Sequence, residues 1–380
     1  MTEQSPHAPL APTRRAHVLA AIARDGIVRV SQLIDELGVT PVTVRRDLVQ
    51  LEQEGLVVRV HGGAVAPPGN GHAAPGARQS DHEQGDSRSD RDAELADSIA
   101  VLVPSLNYYW PHVVRGMEQE ARRLGYRLLL RGASYELQDE RPVLERLVHY
   151  EGVKGLIVAP NTDTPHAQDV IQWLAGCGVP SVLTEREAVV LPERVPVESV
   201  ATDHALGALL AARHLAELGH QKVGLVLSRD SPTSRKIGAG WAAACEELGL
   251  TPTQHFEQFL PARDSVDFSD AVNEALDRAL SSGTTAMLVH ADAEAMAFVD
   301  LALARGISVP GDLSMIAYDD EVAELFTPAL TAVGPPRAAV GAAAVDLLIR
   351  RIAEPDRPVH RVALSPRLNV RQSTAPPRDR

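Results

Sequence analysis

Apolar positions between Arg14 and Val65 first recur with a helical period and then give way to a β-rich run. Val18, Leu19 and Ile22 share one face of a predicted helix from Arg14 to Arg24, and Ser31 caps a second, Gln32 to Leu37, ended by Gly38. A third begins where Thr40 suits an N-cap and Pro41 the first helical position, whose missing N–H costs nothing there, and it runs towards Gln53. At about 100° per residue, Val44, Leu48 and Leu51 fall on one inward face. Val42, Arg46 and Gln50 point roughly the opposite way, with Thr43 and Arg45 on the flanks. Gly55 closes this helix, Leu56 to Val60 reads as a strand carrying Arg59, and His61-Gly62-Gly63 supplies a tight turn.

From Ser98 onward the pattern becomes alternating short apolar runs and amphipathic helices. SIAVLVP, RLLLRGA, GLIVAP and PSVLTER read as strands, separated by the helices HVVRGMEQEARRLGY, ERPVLERLVHY and AQDVIQWLAGCG. A second series follows Asp203, with strands KVGLVLS, QHFEQFL, TAMLVHAD and LSMIAYDD between helices. Such alternation predicts parallel sheets flanked by helices, with ligands held at the carboxyl ends of the strands. Two such lobes in series predict a cleft between them. The stretch from Ala66 to Asp97 has no apolar periodicity and is rich in Pro, Gly, Ser and Asp, which predicts a flexible acidic linker. Residues 1–12 are expected to be disordered.

Charge divides unevenly along these segments. The chain of 380 residues carries a net charge of −13. Pro12 to Gly63 holds 7 arginines against 6 acids, a net of +1, whereas Ser98 to Arg380 has 27 basic and 36 acidic residues, a net of −9. An acidic bulk with a small arginine-bearing head fits site-specific nucleic-acid reading rather than bulk DNA coating. Three helices, the last arginine-rich, and a β-wing predict a winged helix-turn-helix over 13–65. The outward face of its third helix carries donors suited to base edges and phosphates. Cys177 and Cys245 are too isolated for a disulfide framework or a metal site, so no cofactor is expected. No run approaches the length of a membrane helix, and the expected location is the cytosol. A phosphate loop with Lys-Ser/Thr, a nucleophile elbow and a His-Glu-x-x-His pair are all missing, which argues against an enzyme.

The run VTPVTVRRDLVQLEQEGLVVRVHGGA resembles the hallmark of the DeoR-type regulators over nearly every position. Its departures are Thr40 for a frequent Ser, Val44 for Ile, and Val57 and Val58 where Leu is common. That resemblance implies DNA contacts from Ser31, Thr40, Val42, Thr43, Arg45, Arg46, Gln50, Arg59, His61 and Gly62. Ser98 to about Thr374 resembles the LacI/GalR sensor domains and the periplasmic sugar-binding proteins. The segments that carry this likeness, in order, are GVKGLIVAP, HLAELGHQKVGLV, VPGDLSMIAYDD, TPALTAVGPP and RVALSPRLNVRQST. The implied fold is α/β, two lobes joined by three crossings near residues 200–204, 331–337 and 355–361. One lobe would take 98–201 and 336–356, the other 203–333 and 360–374, leaving a tail at 375–380.

The same resemblance implies effector contacts from Tyr109, Trp110, Glu185, Arg186, Arg235, Asp292 and Asp319. Five of them have a plainer reading. Tyr109 and Trp110 suit core positions at a helix start, Glu185–Arg186 an exposed ion pair, and Asp319–Asp320 a hinge brace. In SRKIGAGW the position where the family places an arginine is Ile237, so either Arg235 reaches in from a shifted turn or that contact is missing. The whole predicts a regulator, a repressor of carbohydrate-metabolism genes, that binds operator DNA as a homodimer under control of a sugar or related metabolite, with no membrane partner. An activator of the same build, or a sugar-binding protein without regulatory role, is the alternative. The family's minor-groove hinge helix is absent, its place taken by the acidic linker.

Overall fold

The computed structural model describes residues 98–378 apart from 107, 133–139, 163, 165, 230 and 251–255. In the head it describes residues 14–15, 17–19, 21–22, 27–29, 33, 39, 43–44, 46, 48, 50–51, 57–60 and 63–65. The expected linker and N-terminus lie outside these residues. The chain divides into two compact units, with the division after Glu83.

In the head, Val18, Ala21, Ile22, Leu33, Val44, Leu48 and Leu51 converge with Val28 and Val57 on one apolar core. The helical period placed most of these inward. β1 (Ile27–Arg29), β2 (Val58–Val60) and β3 (Gly63–Val65) form an antiparallel sheet in the order β1-β3-β2. The hairpin β2–β3 pairs Val60 with Gly63. β1 was not anticipated: its three residues are too few for an alternation to be read, and pairing with β3 makes it a strand.

In the second unit, β4 (Ser98–Val103), β5 (Arg127–Gly132), β6 (Gly155–Val158), β7 (Ser181–Thr184) and β10 (Ser199–Thr202) alternate with α1 (Trp110–Arg123), α2 (Arg141–Glu151) and α3 (Ala167–Gly176). A short hairpin, β8 (Val189–Val190) with β9 (Val195–Pro196), precedes β10. The first sheet has the order β16-β10-β7-β6-β4-β5, where β16 is Arg361–Leu364. Its pairings are all parallel. The second sheet, β12-β11-β13-β14-β15-β17, uses β11 (Val223–Ser228), β12 (Phe256–Leu260), β13 (Ala286–Val289), β14 (Ser314–Tyr318), β15 (Thr331–Gly334) and β17 (Arg367–Asn369). Around it pack α4 (His204–Glu217), α5 (Ser234–Glu247), α6 (Phe268–Ser281) and α7 (Asp292–Ala304). The inner strands β4, β6, β7, β10, β11, β13, β14 and β15 are buried almost throughout, as strands covered on both faces must be, whereas β5, β16 and β17 at the sheet edges are largely exposed or half-buried.

α8 (Arg337–Ala353) returns to the first lobe, where Val340, Ala344, Val345 and Leu348 join Ile99, Val101 and Met117 in one core. It meets α1 backbone to backbone. A methyl group added at Gly116 would lie 2.0 Å from the Ala338 carbonyl oxygen, and one at Gly341 2.0 Å from that of Val113. The passages between lobes fall at Asp203, at Pro335–Pro336 and at Ser365–Pro366.

The third passage corrects the expectation of 355–361. The closing segment is two strands, not one: β16 pairs with β10 in the first sheet, and only β17 reaches the second, antiparallel to β15. Apolar alternation runs unbroken through RVALSPRLN, so nothing in the pattern marked the break except Pro366. The expected tail also begins too early. Ala375 accepts hydrogen bonds from Ser314 Oγ (3.0 Å) and His220 Nε2 (2.9 Å), and Arg378 pairs with Asp312 at 2.8 Å. Among the described residues no helix is long and apolar enough to cross a membrane.

Candidate ligand-binding site

The carboxyl ends of five strands open on one cavity of about 310 Å³, at the lower end of the ~300–1,000 Å³ usual for small-molecule sites. From the first lobe come Tyr108, Tyr109 and Trp110 after β4 and Glu185 and Arg186 after β7, while His204, the first residue of α4, enters from the second-lobe side of the first passage. The second lobe supplies Ser228, Ser231 and Thr233 around the start of α5, His290 and Glu294 after β13, and Asp319 after β14. Tyr108, Glu185 and Asp319 have φ of 57°, 55° and 93°. Left-handed backbone costs a residue with a side chain roughly 1–3 kcal/mol, and here it recurs at positions that turn side chains into one cavity.

Glu185 is buried and fully engaged. Its carboxylate accepts from Tyr109 Oη, from Thr202 N at 3.1 Å and from Thr202 Oγ1 at 2.8 Å, and His204 Nε2 stands 3.4 Å away. Burial alone would raise this carboxyl, but the His204 imidazole, the Tyr109 phenol and the Thr202 N–H together outweigh it and hold it at about 2. His204 Nδ1 lies 3.0 Å from the hydroxyl of Tyr318, in the second lobe.

Arg186, also buried, donates from Nε to Pro160 O (3.2 Å) and from Nη1 to Glu185 O (2.9 Å). Its guanidinium lies 5.9 Å from the centre of the Trp110 ring, within cation–π range. Asp319 is only 8% exposed. Burial, reinforced by the charges of Asp292, Glu294 and Glu185 and opposed by Arg337, pushes its carboxyl up to about 8. Burial and the neighbouring His204 push His290 down to about 3, which keeps its imidazole neutral at physiological pH.

Of the seven side chains expected at a ligand, Tyr109, Trp110, Glu185, Arg186 and Asp319 line the cavity. Glu185 and Arg186 are not the exposed ion pair of the plainer reading, since both are buried and the arginine donates to main chain. Asp292 is a correction. It is fully buried behind the wall, and its carboxylate accepts from the main-chain N–H groups of Asp320 (3.1 Å), Glu321 (2.6 Å) and Val322 (2.9 Å). Its lone pairs are spent fixing the loop that presents Asp319. Arg235 is exposed on α5 and does not line the cavity, while its neighbour Lys236 pairs with Glu187 at 2.5 Å.

Sequence reasoning missed Tyr108, His204, His290 and Glu294. Position alone offered a signal: His290 directly follows β13 and His204 directly follows the first passage, the places where this topology gathers ligand contacts. Arg337 was also unforeseen. It donates to Asp319 O at 2.6 Å and pairs with Glu321 at 2.9 Å, bracing the same loop from α8.

In the head, Arg46 and Gln50 are exposed on the side away from buried Val44, Leu48 and Leu51, and Thr43 is half-buried. Arg59 sits on β2. Ser31, Thr40, Val42, Arg45, His61 and Gly62 lie outside the described residues.

Comparison with known proteins covers both units. Residues 14–68 match the DeoR-like helix-turn-helix domain, and residues 212–374 match the periplasmic binding protein-like domain. An uncharacterized HTH-type transcriptional regulator in the aml 5′ region of Streptomyces limosus is 31% identical over 285 residues, 74% of this chain and 79% of that protein. The arabinose metabolism transcriptional repressor of Geobacillus stearothermophilus is 25% identical over 340 residues, 87% of this chain and 86% of its own length. A LacI family transcriptional regulator from Enterococcus faecium, solved with bound ribose, superposes with a TM-score of 0.60 at 26% identity, over 73% of this chain and 99% of that one.

Proposed function

Because the chain belongs to the LacI-like family of helix-turn-helix transcriptional regulators, we propose that it represses carbohydrate-metabolism genes and that a sugar or related metabolite in the two-lobed cavity sets its hold on operator DNA. The observation that carries this reading is the cavity itself. Both lobes wall it, it holds buried polar groups at strand ends, and it sits in the same chain as a helix whose exposed face carries Arg46 and Gln50.

Ligand that touches both walls favours one lobe arrangement over others, and that difference in affinity is the only free energy available to change DNA binding. His204 is placed to report it, since its ring faces Glu185 on one lobe and Tyr318 on the other. Two copies would join through α1 and the edge strand β5, setting two heads on half-sites about one helical turn or a multiple apart. The protein works in the cytosol, where the operator is.

The test is operator binding by the full chain to fragments flanking its own gene, measured with and without candidate sugars. Arg46→Ala is expected to weaken specific binding by about 1–3 kcal/mol through a lost base contact, and an equal loss on all sequences would move Arg46 to the phosphate backbone. Asp292→Ala is expected to abolish the ligand response while operator binding persists, because the loop carrying Asp319 loses its anchor. Failure to bind any such fragment would overturn the reading.

A further inference from the structure

One charged contact between the lobes lies clear of the cavity. Glu187, in the loop after β7 on the first lobe, accepts from Lys236 Nζ of second-lobe α5 at 2.5 Å and from Arg361 Nη2 of first-lobe β16 at 2.5 Å. None of the three lines the ligand cavity. They border instead a groove of about 370 Å³ between β10 and β16 on one side and α4 and α5 on the other, floored by Ala201, Ala205, Ala239, Val362 and Ala363. Along this groove the lobes lack a packed apolar seam, and the ion pair bridges it.

We propose that Lys236 and Glu187 form a latch that holds the lobes together in the absence of ligand, with Arg361 positioning the carboxylate. The latch sets the resting balance between closed and open lobes without touching anything the cavity holds.

The two charges belong to different lobes, which separates this pair from most others. Glu118 with Arg122, Arg141 with Glu145 and Asp346 with Arg350 each join residues of one helix, so lobe separation leaves them whole. Separation breaks the bond from Lys236 and spares the bond from Arg361, which lies within the first lobe. A second charged link across the lobes, from His112 and Arg337 to Glu321, is tied into the loop that presents Asp319 and cannot shift without disturbing the cavity. Glu187 has no such tie.

The Lys236 and Glu187 side chains are 36% and 34% exposed. An ion pair this exposed changes an equilibrium by up to about fivefold. That is small against folding, but it multiplies the ratio of closed to open lobes directly, and the apparent affinity for any ligand of the closed form follows the fraction already closed. Burial alone would raise the Glu187 carboxyl, but Lys236 and Arg361 outweigh it and hold it below its usual value, so the carboxylate stays ionised at neutral pH. Salt weakens a latch of this kind by screening.

The experiment measures the distance between lobes with no ligand present. Spin labels go on Gln172→Cys in α3 and Glu274→Cys in α6, exposed positions on opposite lobes, in the full chain carrying Cys177→Ser, where Cys245 is buried and stays unlabelled. Double electron–electron resonance at low salt is expected to give one dominant distance. Lys236→Met, which keeps the aliphatic stem without the charge, is expected to raise the share of a second distance by up to about fivefold, and Lys236→Glu, which sets two carboxylates face to face, to raise it further. High sodium chloride is expected to act on the wild type as Lys236→Met does and to add nothing to Lys236→Met. Arg361→Met, which removes an equally short bond to the same carboxylate within one lobe, is expected to leave the dominant distance in place. A wild type with no dominant distance, a distribution that Lys236→Glu leaves unchanged, or one that Arg361→Met moves as far as Lys236→Met does, overturns the proposal.

Discussion

Glu185 and Asp319 hang from the carboxyl ends of β7 and β14, one on each lobe, both nearly inaccessible and both in left-handed backbone. Yet the first is held at about 2 and the second is pushed up to about 8. Burial acts in the same direction on both. What separates them is the number of donors that meet the charge: Glu185 has the Tyr109 phenol, the Thr202 hydroxyl and N–H and an adjacent imidazole, whereas the Asp319 carboxyl meets no donor among the described residues and has several carboxylate neighbours. One lobe thus contributes a carboxylate whose charge is met within the protein, and the other a carboxyl that burial keeps protonated.

The largest expected effect comes from removing the satisfied carboxylate. Glu185→Ala should cost about 3–5 kcal/mol in denaturant melts, because Tyr109, Thr202 and His204 are left buried and facing nothing. A loss no larger than that of the same change at Asp319 would erase the contrast. Taking away a single donor should be milder: Thr202→Val deletes the hydroxyl bond but keeps the N–H bond, for a loss of about 1.5–3 kcal/mol.

Asp319→Asn should move stability by less than about 1 kcal/mol at about pH 3.5, where the carboxyl keeps its proton folded and largely so unfolded, and should stabilise the fold increasingly as pH rises above about 4. The pH dependences then run oppositely. Asp319 binds its proton more tightly folded than unfolded, so its contribution is complete below its usual 3.8 and declines as pH rises towards about 8. Glu185 binds its proton less tightly folded, so its contribution is complete above its usual 4.5 and is lost as pH falls towards about 2. Melts across pH 3 to 9 should lose the decline between about pH 4 and pH 8 in Asp319→Asn alone, and a decline that survives would place it in another group.

Strand and helix periodicity carried the architecture of the second unit into view, because its parallel strands are continuous apolar runs and its helices are strongly amphipathic. Tyr109, Arg186 and Asp319 were legible for a related reason: they stand directly after such runs. Asp292 was not, since sequence places an acid near a strand end without telling whether its oxygens face ligand or the N–H groups of a distant loop. The break between β16 and β17 escaped for the same cause, as pairing partners far apart in the chain decide it.

That break bears on how the chain is made. The first lobe lacks α8 and β16 until residues 337–364 exist, and the second lacks β17 and the seal of Ser373, which donates to Met315 O and accepts from Thr331 N, until the last few residues emerge. Neither lobe is therefore a contiguous product of translation. Nonsense mutations between residues 98 and 337 leave the head's sequence whole and deprive both halves of the sensor at once.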